Sequence, residues 1–111
     1  MQGLESLIPT AEKVRYINKL LEVGCDSIDF GSFVSAKAIP QMKDTTDVLA
    51  GLNWRASKTK LLAIVANKRG AEEAAAHEAI TYLGFPLSIS ETFQKRNTNK
   101  SIVEALDTLN E

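Results

Sequence analysis

An α/β fold built on a parallel sheet is predicted by three observations on this 111-residue chain. Helical and strand patterns alternate along its whole length. Each repeat takes roughly 25 to 35 residues, the size of a βαβ unit. The run Leu61–Ala66 is apolar without interruption, which implies a strand covered on both faces by flanking helices. Right-handed crossovers then leave two architectures, an open flavodoxin-like sheet or a piece of a (β/α)8 barrel.

The elements follow in order. Thr10 is suited to cap a helix in which Glu12 favours the positive end and Val14, Ile17, Leu20 and Leu21 recur at helical spacing; Gly24 offers the left-handed stop. Ser27–Phe30 is of strand length and carries β-branched and aromatic residues around Asp29, and Gly31-Ser32 reads as a turn after it. Pro40 suits the first turn of a second helix with a buried stripe of Met42, Val48, Leu49 and Leu52, closed by Gly51-Leu52-Asn53. After the strand at Leu61–Ala66 comes an alanine-rich helix, Ala71–His77, with Glu72 and Glu73 near its start. Ala79–Phe85 reads as the third strand, ended by Pro86. Ser101 and Glu104 have capping-box spacing and open a last helix through Leu109.

Composition narrows the function classes. The chain is 44% hydrophobic and 24% charged, with a net charge of −1, the balance of a globular domain. No global field draws it to nucleic acid or to an anionic membrane surface, and basic and aromatic residues are not interleaved as a nucleic-acid binder requires. Its apolar runs fall short of the roughly 20 residues that cross a bilayer, and no signal core is evident, so a cytoplasmic location is expected. The single cysteine, Cys25, permits no internal disulfide, fits a reducing compartment and is expected to be a small buried apolar residue. No linker or composition break divides residues 1–111, which are read as a single domain.

The candidate chemistry lies at the strand ends. An unpaired carboxylate in an apolar strand costs several kcal/mol to bury, so Asp29 is expected at the strand's open end as an acid or base, with Ser32 beside it. Asn67 follows the second strand, and Ser88, Ser90 and Glu91 follow the third. Parallel strands place these ends on one side, where the groups converge on a site. Each polar residue could instead cap the helix that follows, and three in phase favour a site. Lys68, Arg69, Lys95, Arg96 and Lys100 could form a cationic rim for phosphate or carboxylate, although a solvated face is the simpler reading of Lys100, Arg55, Lys58 and Lys60. His77, the only histidine, is expected on the surface or in packing, and no Walker-type or dinucleotide glycine loop is present.

Three motifs carry a family resemblance. Ser32-Phe33-Val34-Ser35-x-Lys37-x-Ile39-Pro40-Gln41-Met42, with Asp29 three residues before it, resembles the second strand and loop of 3-hydroxy-3-methylglutaryl-CoA lyases. Asn67-x-x-Gly70 resembles that family's loop after strand three, and Ser90-Glu91-x-Phe93-x-Lys95-Arg96-Asn97-x-Asn99-x-Ser101 its loop after strand four. The resemblance covers nearly the whole chain. It implies a fragment of a (β/α)8 TIM barrel, about half a barrel comprising strands 2–4 and flanking helices, incomplete at both ends. It also implies metal-assisted cleavage of 3-hydroxy-3-methylglutaryl-CoA to acetyl-CoA and acetoacetate by the full barrel.

By resemblance, Asp29 takes the position of a catalytic glutamate, and Gln2, Ser32, Asn67, Ser90, Glu91 and Lys95 lie near the substrate. The family's Arg-Asp pair falls three residues before the glutamine aligned with Gln2, and its His-x-His ligands fall after Glu111. No metal ligand is therefore expected within this chain, and Mg2+ or Mn2+ belongs to the full enzyme. The expected partners are an acyl-CoA substrate and either a second copy or a complementary half-barrel, since exposed parallel edges disfavour a lone monomer. Two departures stand out. Asp29 replaces the usual Glu, which retracts the carboxylate by about 1.5 Å, and Gly31 replaces a hydroxyl-bearing residue.

Overall fold

Three parallel strands in sequence order, β1 (Ser27–Phe33), β2 (Lys60–Val65) and β3 (Ile80–Gly84), form one sheet in the computed structural model, which describes residue 1 and residues 3–111. Five helices accompany them: α1 (Thr10–Val23), α2 (Thr45–Ala50), α3 (Lys68–Ala75), α4 (Glu91–Thr98) and α5 (Ile102–Asn110). The expected α/β alternation with a parallel sheet is present. Gln2 lies outside the described residues.

The core forms where the helices cover one face of the sheet. Ile28, Phe30 and Phe33 of β1 and Leu61, Ala63 and Val65 of β2 are buried together with Ile17 and Leu21 of α1, Val48 and Leu49 of α2, and Ala74 of α3. Burial along β2 alternates, with Leu62 and Ile64 only half-buried on the other face. The uninterrupted apolar run therefore reflects a sheet whose second face is apolar but not covered by a helix of this chain. Met42 is half-buried, and the rest of the stripe expected on the second helix is buried.

Several boundaries differ from expectation, each for a local reason. Pro9 occupies the N-cap of α1, and the Thr10 hydroxyl instead donates to Asp44 Oδ2 at 2.6 Å. Gly24 ends that helix at φ 82°, as its missing Cβ allows. Gly31 and Ser32 are not a turn but part of β1, paired with Ala63 and Ile64. Pro40 opens only a 3-10 turn, Pro40–Met42, and α2 begins at Thr45. Asn67 caps α3, which therefore starts at Lys68 rather than Ala71.

The sequence reading lacked α4 altogether; a Ser90 cap and an acidic first residue, Glu91, were its local signals. The capping box of α5 is present as expected. Cys25 is exposed rather than buried, because it follows Gly24 in the turn between α1 and β1, outside the packed layer. His77 stacks on Phe33 with ring centroids 5.6 Å apart. No helix among the described residues is long and apolar enough to cross a membrane.

Candidate functional site

A groove of about 860 Å³ opens at the C-terminal ends of the strands. One wall is the loop after β1, through Val34, Ala38, Ile39 and Met42; the floor includes Ile64 of β2 and Ala66 just after it; the far side is Phe85 and Pro86 after β3 and the α4–α5 junction. Asp29 and Ser32 of β1 and Asn67 of the loop after β2 are brought together in this lining. The parallel sheet explains the convergence, since all strand ends of like direction fall on one side.

Asp29 pairs with Leu62 across the ladder and turns its side chain toward solvent in the groove. Partial burial raises its carboxyl above the usual carboxylate range, and a hydrogen bond from the Gly31 amide pulls the other way without cancelling the effect. A carboxylate with a raised affinity for protons is a better general base than a free aspartate.

Ser32 is 5% exposed, and its Oγ has no hydrogen-bond partner among the described residues, while its backbone carbonyl accepts from Thr45 Oγ1 at 2.9 Å. Leaving a buried hydroxyl unpaired costs about 1–3 kcal/mol. That marks a donor and acceptor available to a bound molecule at the groove.

Asn67 does two things at once. Its Oδ1 accepts from the Gly70 N–H at 2.9 Å, capping α3, and the residue also lines the groove. Gly70 makes this possible: a Cβ there would overlap the Phe33 carbonyl oxygen, so only glycine lets α3 begin so close to the end of β1.

Ser90 and Glu91, at the start of α4, and Lys95, in its last turn, stand apart from the groove lining. The Ser90 hydroxyl accepts from the Phe93 N–H at 3.3 Å. Glu91 accepts from the Ile102 N–H at 3.2 Å and sits 3.8 Å from Lys95, tying α4 to α5. The α4 residues that do line the groove are Gln94, Asn97 and Thr98. Gln94, 1% exposed, accepts from the Ser88 N–H at 2.8 Å and donates to Thr98 Oγ1 at 2.9 Å. Its signal was the spacing of four between Gln94 and Thr98, legible only once α4 is recognised as a helix. Lys100, read as a solvated cation, is half-buried in the lining, its ammonium donating to Thr108 Oγ1.

A divalent cation does not fit this donor set by itself. Among the described residues no three His, Cys, Asp or Glu side chains group together, and the groove contributes one carboxylate, Asp29, with neutral amides and hydroxyls.

A parallel sheet of βα units with a polar groove at the C-terminal side of its strands is the arrangement of part of a TIM barrel. The comparisons with known proteins agree. No family model matches the chain. A 3-hydroxy-3-isohexenylglutaryl-CoA/hydroxymethylglutaryl-CoA lyase of Pseudomonas aeruginosa is 36% identical over 107 residues, which is 96% of this chain and 35% of that protein. The mitochondrial hydroxymethylglutaryl-CoA lyase of mouse is 38% identical over 105 residues, 95% of this chain and 32% of the relative.

Among solved structures, the HMG-CoA lyase of Brucella melitensis superposes with a TM-score of 0.90 at 37% identity, covering 97% of this chain and 38% of that one. An Acinetobacter baumannii HMG-CoA lyase in complex with coenzyme A and 3-methylmalate superposes with a TM-score of 0.89 at 30% identity, over 97% and 35% of the two chains. Over its length the chain is thus related, in sequence and in fold, to the hydroxymethylglutaryl-CoA lyases. It spans about a third of the length of these relatives.

Proposed function

We propose that this chain supplies one part of the active site of a hydroxymethylglutaryl-CoA lyase-like carbon–carbon lyase, acting on 3-hydroxy-3-methylglutaryl-CoA or a related hydroxyacyl-CoA in the cytoplasm. The activity belongs to a complete barrel, of which residues 1–111 form the part containing strands 2–4. The observation that carries the reading is the groove that joins Asp29, Ser32 and Asn67, with the Ser32 hydroxyl left unpaired.

Asp29 is the base that takes the proton of the substrate's tertiary hydroxyl. As that oxygen becomes a carbonyl, the carbon–carbon bond breaks. Its electron pair passes to the thioester fragment as an enolate, which is protonated to acetyl-CoA and leaves acetoacetate. Ser32 and the Asn67 amide supply hydrogen bonds to substrate oxygens, and Lys100 supplies positive charge for a carboxylate or phosphate. Gln2, Ser90, Glu91 and Lys95 are assigned to the periphery of the same site. A divalent cation such as Mg2+ or Mn2+, were one bound in a complete barrel, would supply polarisation of substrate oxygens and would need ligands besides the groove residues described.

The coenzyme A bound to the Acinetobacter relative supports an acyl-CoA ligand here. The test is a chimeric barrel in which this chain replaces the matching third of the Pseudomonas lyase. We expect acetoacetate release that is lost in Asp29→Asn; a folded chimera that is inactive, or one indifferent to Asp29, counts against the assignment.

A second reading is favoured by the sheet edges. Among the described residues the outer edges of β1 and β3 are unpaired, and Tyr82, Leu83, Ile89 and Phe93 are exposed. A non-catalytic chain that self-associates, or that pairs with a complementary part of a barrel, would cover them.

A further inference from the structure

We propose that Lys13 is a positioning residue for the groove, acting through a buried ion pair with Asp44 that fixes the loop forming one groove wall. The inference rests on reading that groove as the substrate site. Lys13 is on α1, in the helix layer, and is 4% exposed. Its ammonium lies 2.6 Å from Asp44 Oδ1 and 2.5 Å from the Gln41 carbonyl oxygen. The other Asp44 oxygen accepts from Thr10 Oγ1 at 2.6 Å, and Gln41 Nε2 donates to the Leu4 carbonyl at 2.8 Å.

These contacts converge on residues 41–44. The same loop carries Ala38, Ile39 and Met42 into the groove. Within itself the loop has short turns, from the Ala38 and Ile39 N–H groups to the Ser35 carbonyl, from Met42 to Ile39 and from Lys43 to Pro40, and at its end Thr45 Oγ1 donates to the Met42 and Ser32 carbonyls at 2.7 and 2.9 Å. It belongs to no strand ladder, so its position depends on what anchors it from outside.

The energetics separate positioning from simple stabilisation. Desolvating a lysine and an aspartate is expensive, and an apolar pair of similar volume is often as stable or more so. An apolar pair has no direction, however. The ammonium must meet two acceptors at fixed places, the Asp44 carboxylate and the Gln41 carbonyl, and this sets where residues 38–42 stand.

Hydrogen exchange on the 111-residue chain tests this, comparing wild type with Lys13→Arg and with the apolar pair Lys13→Met/Asp44→Leu. In the apolar pair the Ala38, Ile39, Met42 and Lys43 amides should exchange about tenfold faster, while the β2 amides keep their protection. Lys13→Arg should retain loop protection. Coenzyme A titrated into the same samples should bind about tenfold more weakly to the apolar pair, as expected when a groove wall is no longer preorganised.

Should the apolar pair not fold, Asp44→Glu keeps both charges but displaces the carboxylate by about 1.5 Å, and carries the same comparison. Loop exchange that is unchanged, or that rises only together with β2, overturns the positioning role. A loosened loop in a chain whose wild type does not bind coenzyme A supports that role and counts instead against the groove as an acyl-CoA site.

Discussion

Asp29 and Ser32 are three residues apart on β1 yet face the same groove, because the ladder slips by one residue between Asp29 and Gly31. In a regular strand, side chains three apart point to opposite faces. Here Asp29 pairs with Leu62 and Ser32 with Ile64, two residues of β2 that share a face. Phe30 is the extra residue of this bulge, and its ring is buried in the helix layer. A bulge beside a candidate acid re-aims a side chain without altering the rest of the sheet.

Phe30 anchors that slip, so Phe30→Ala should cost about 3–5 kcal/mol, the range for truncating a buried aromatic. Urea unfolding measures it. A loss below about 1 kcal/mol would mean that the strand holds its irregular register without the ring.

Ser32→Ala removes an unpaired buried hydroxyl, so it should leave stability unchanged or raise it by up to about 1 kcal/mol. In the chimeric barrel the same substitution should lower turnover. Thermal unfolding and acetoacetate release, read on the same variant, separate a groove hydroxyl that meets substrate from one with a structural role.

The two aspartates that titrate abnormally predict opposite pH behaviour. Burial raises the Asp29 carboxyl, so the folded chain holds that proton more tightly than the unfolded chain. Its contribution to stability is therefore lost as pH rises from the unfolded value near 3.9 through the folded one. Asp29→Asn should be slightly more stable than wild type at neutral pH, by less than about 0.5 kcal/mol at so exposed a site. That difference should vanish in acid.

Burial acts to raise Asp44 as well, but the hydrogen bonds from Lys13 and Thr10 outweigh it and hold the carboxyl below the usual range. Its stabilisation is present above the unfolded value and lost as pH falls through the folded one. Asp44→Asn leaves the buried Lys13 ammonium without its counter-charge, bonded to the Gln41 carbonyl, and should cost up to about 3 kcal/mol at neutral pH, the lower end for breaking a buried pair. Denaturant titrations at several pH values should show the gap narrowing in acid.

Gly70 and Asn67 together predict a local effect at the groove. Gly70→Ala should cost about 1–3 kcal/mol, as overpacking does, because its Cβ meets the Phe33 carbonyl. Asn67→Ala should cost about 1 kcal/mol through the lost cap. Asn67→Ser retains a capping oxygen, so thermal unfolding should find it near wild type.

The 111-residue chain incubated with the CoA thioester and Mg2+ or Mn2+ should release no acetoacetate, since the groove supplies one carboxylate and the described residues assemble no metal site. Sedimentation should find association rather than a monodisperse monomer, given the unpaired outer edges of β1 and β3 among the described residues. Turnover by this chain alone would overturn the assignment of the missing ligands, and a compact monomer would overturn the edge argument.

The helices and strands with strong short-range signals were legible in the sequence: the heptad-like stripe of α1, the apolar run of β2, and the Ser101–Glu104 capping box of α5. Asp29 is not at the open end expected for it: β1 runs on to Phe33, and Asp29, its third residue, reaches the groove from within the strand because its side chain lies on the face that Leu62 and Ile64 share. The capping alternative weighed for the strand-end polar groups describes Ser90 fully and Asn67 in part. Helix α4 was missed because its hydrophobic content is low and its buried member is a glutamine, Gln94, satisfied by Ser88 and Thr98 rather than by apolar packing.

By itself the sequence determined the order of parallel α/β units, since periodicity, caps and left-handed glycines act over a few residues and are written locally. Only the tertiary structure decided that Ser32 joins Asp29, and that Lys13 is buried against Asp44, 31 positions away. Register is fixed by the hydrogen bonds of a neighbouring strand, and a buried charge is tolerated only where a distant partner folds onto it.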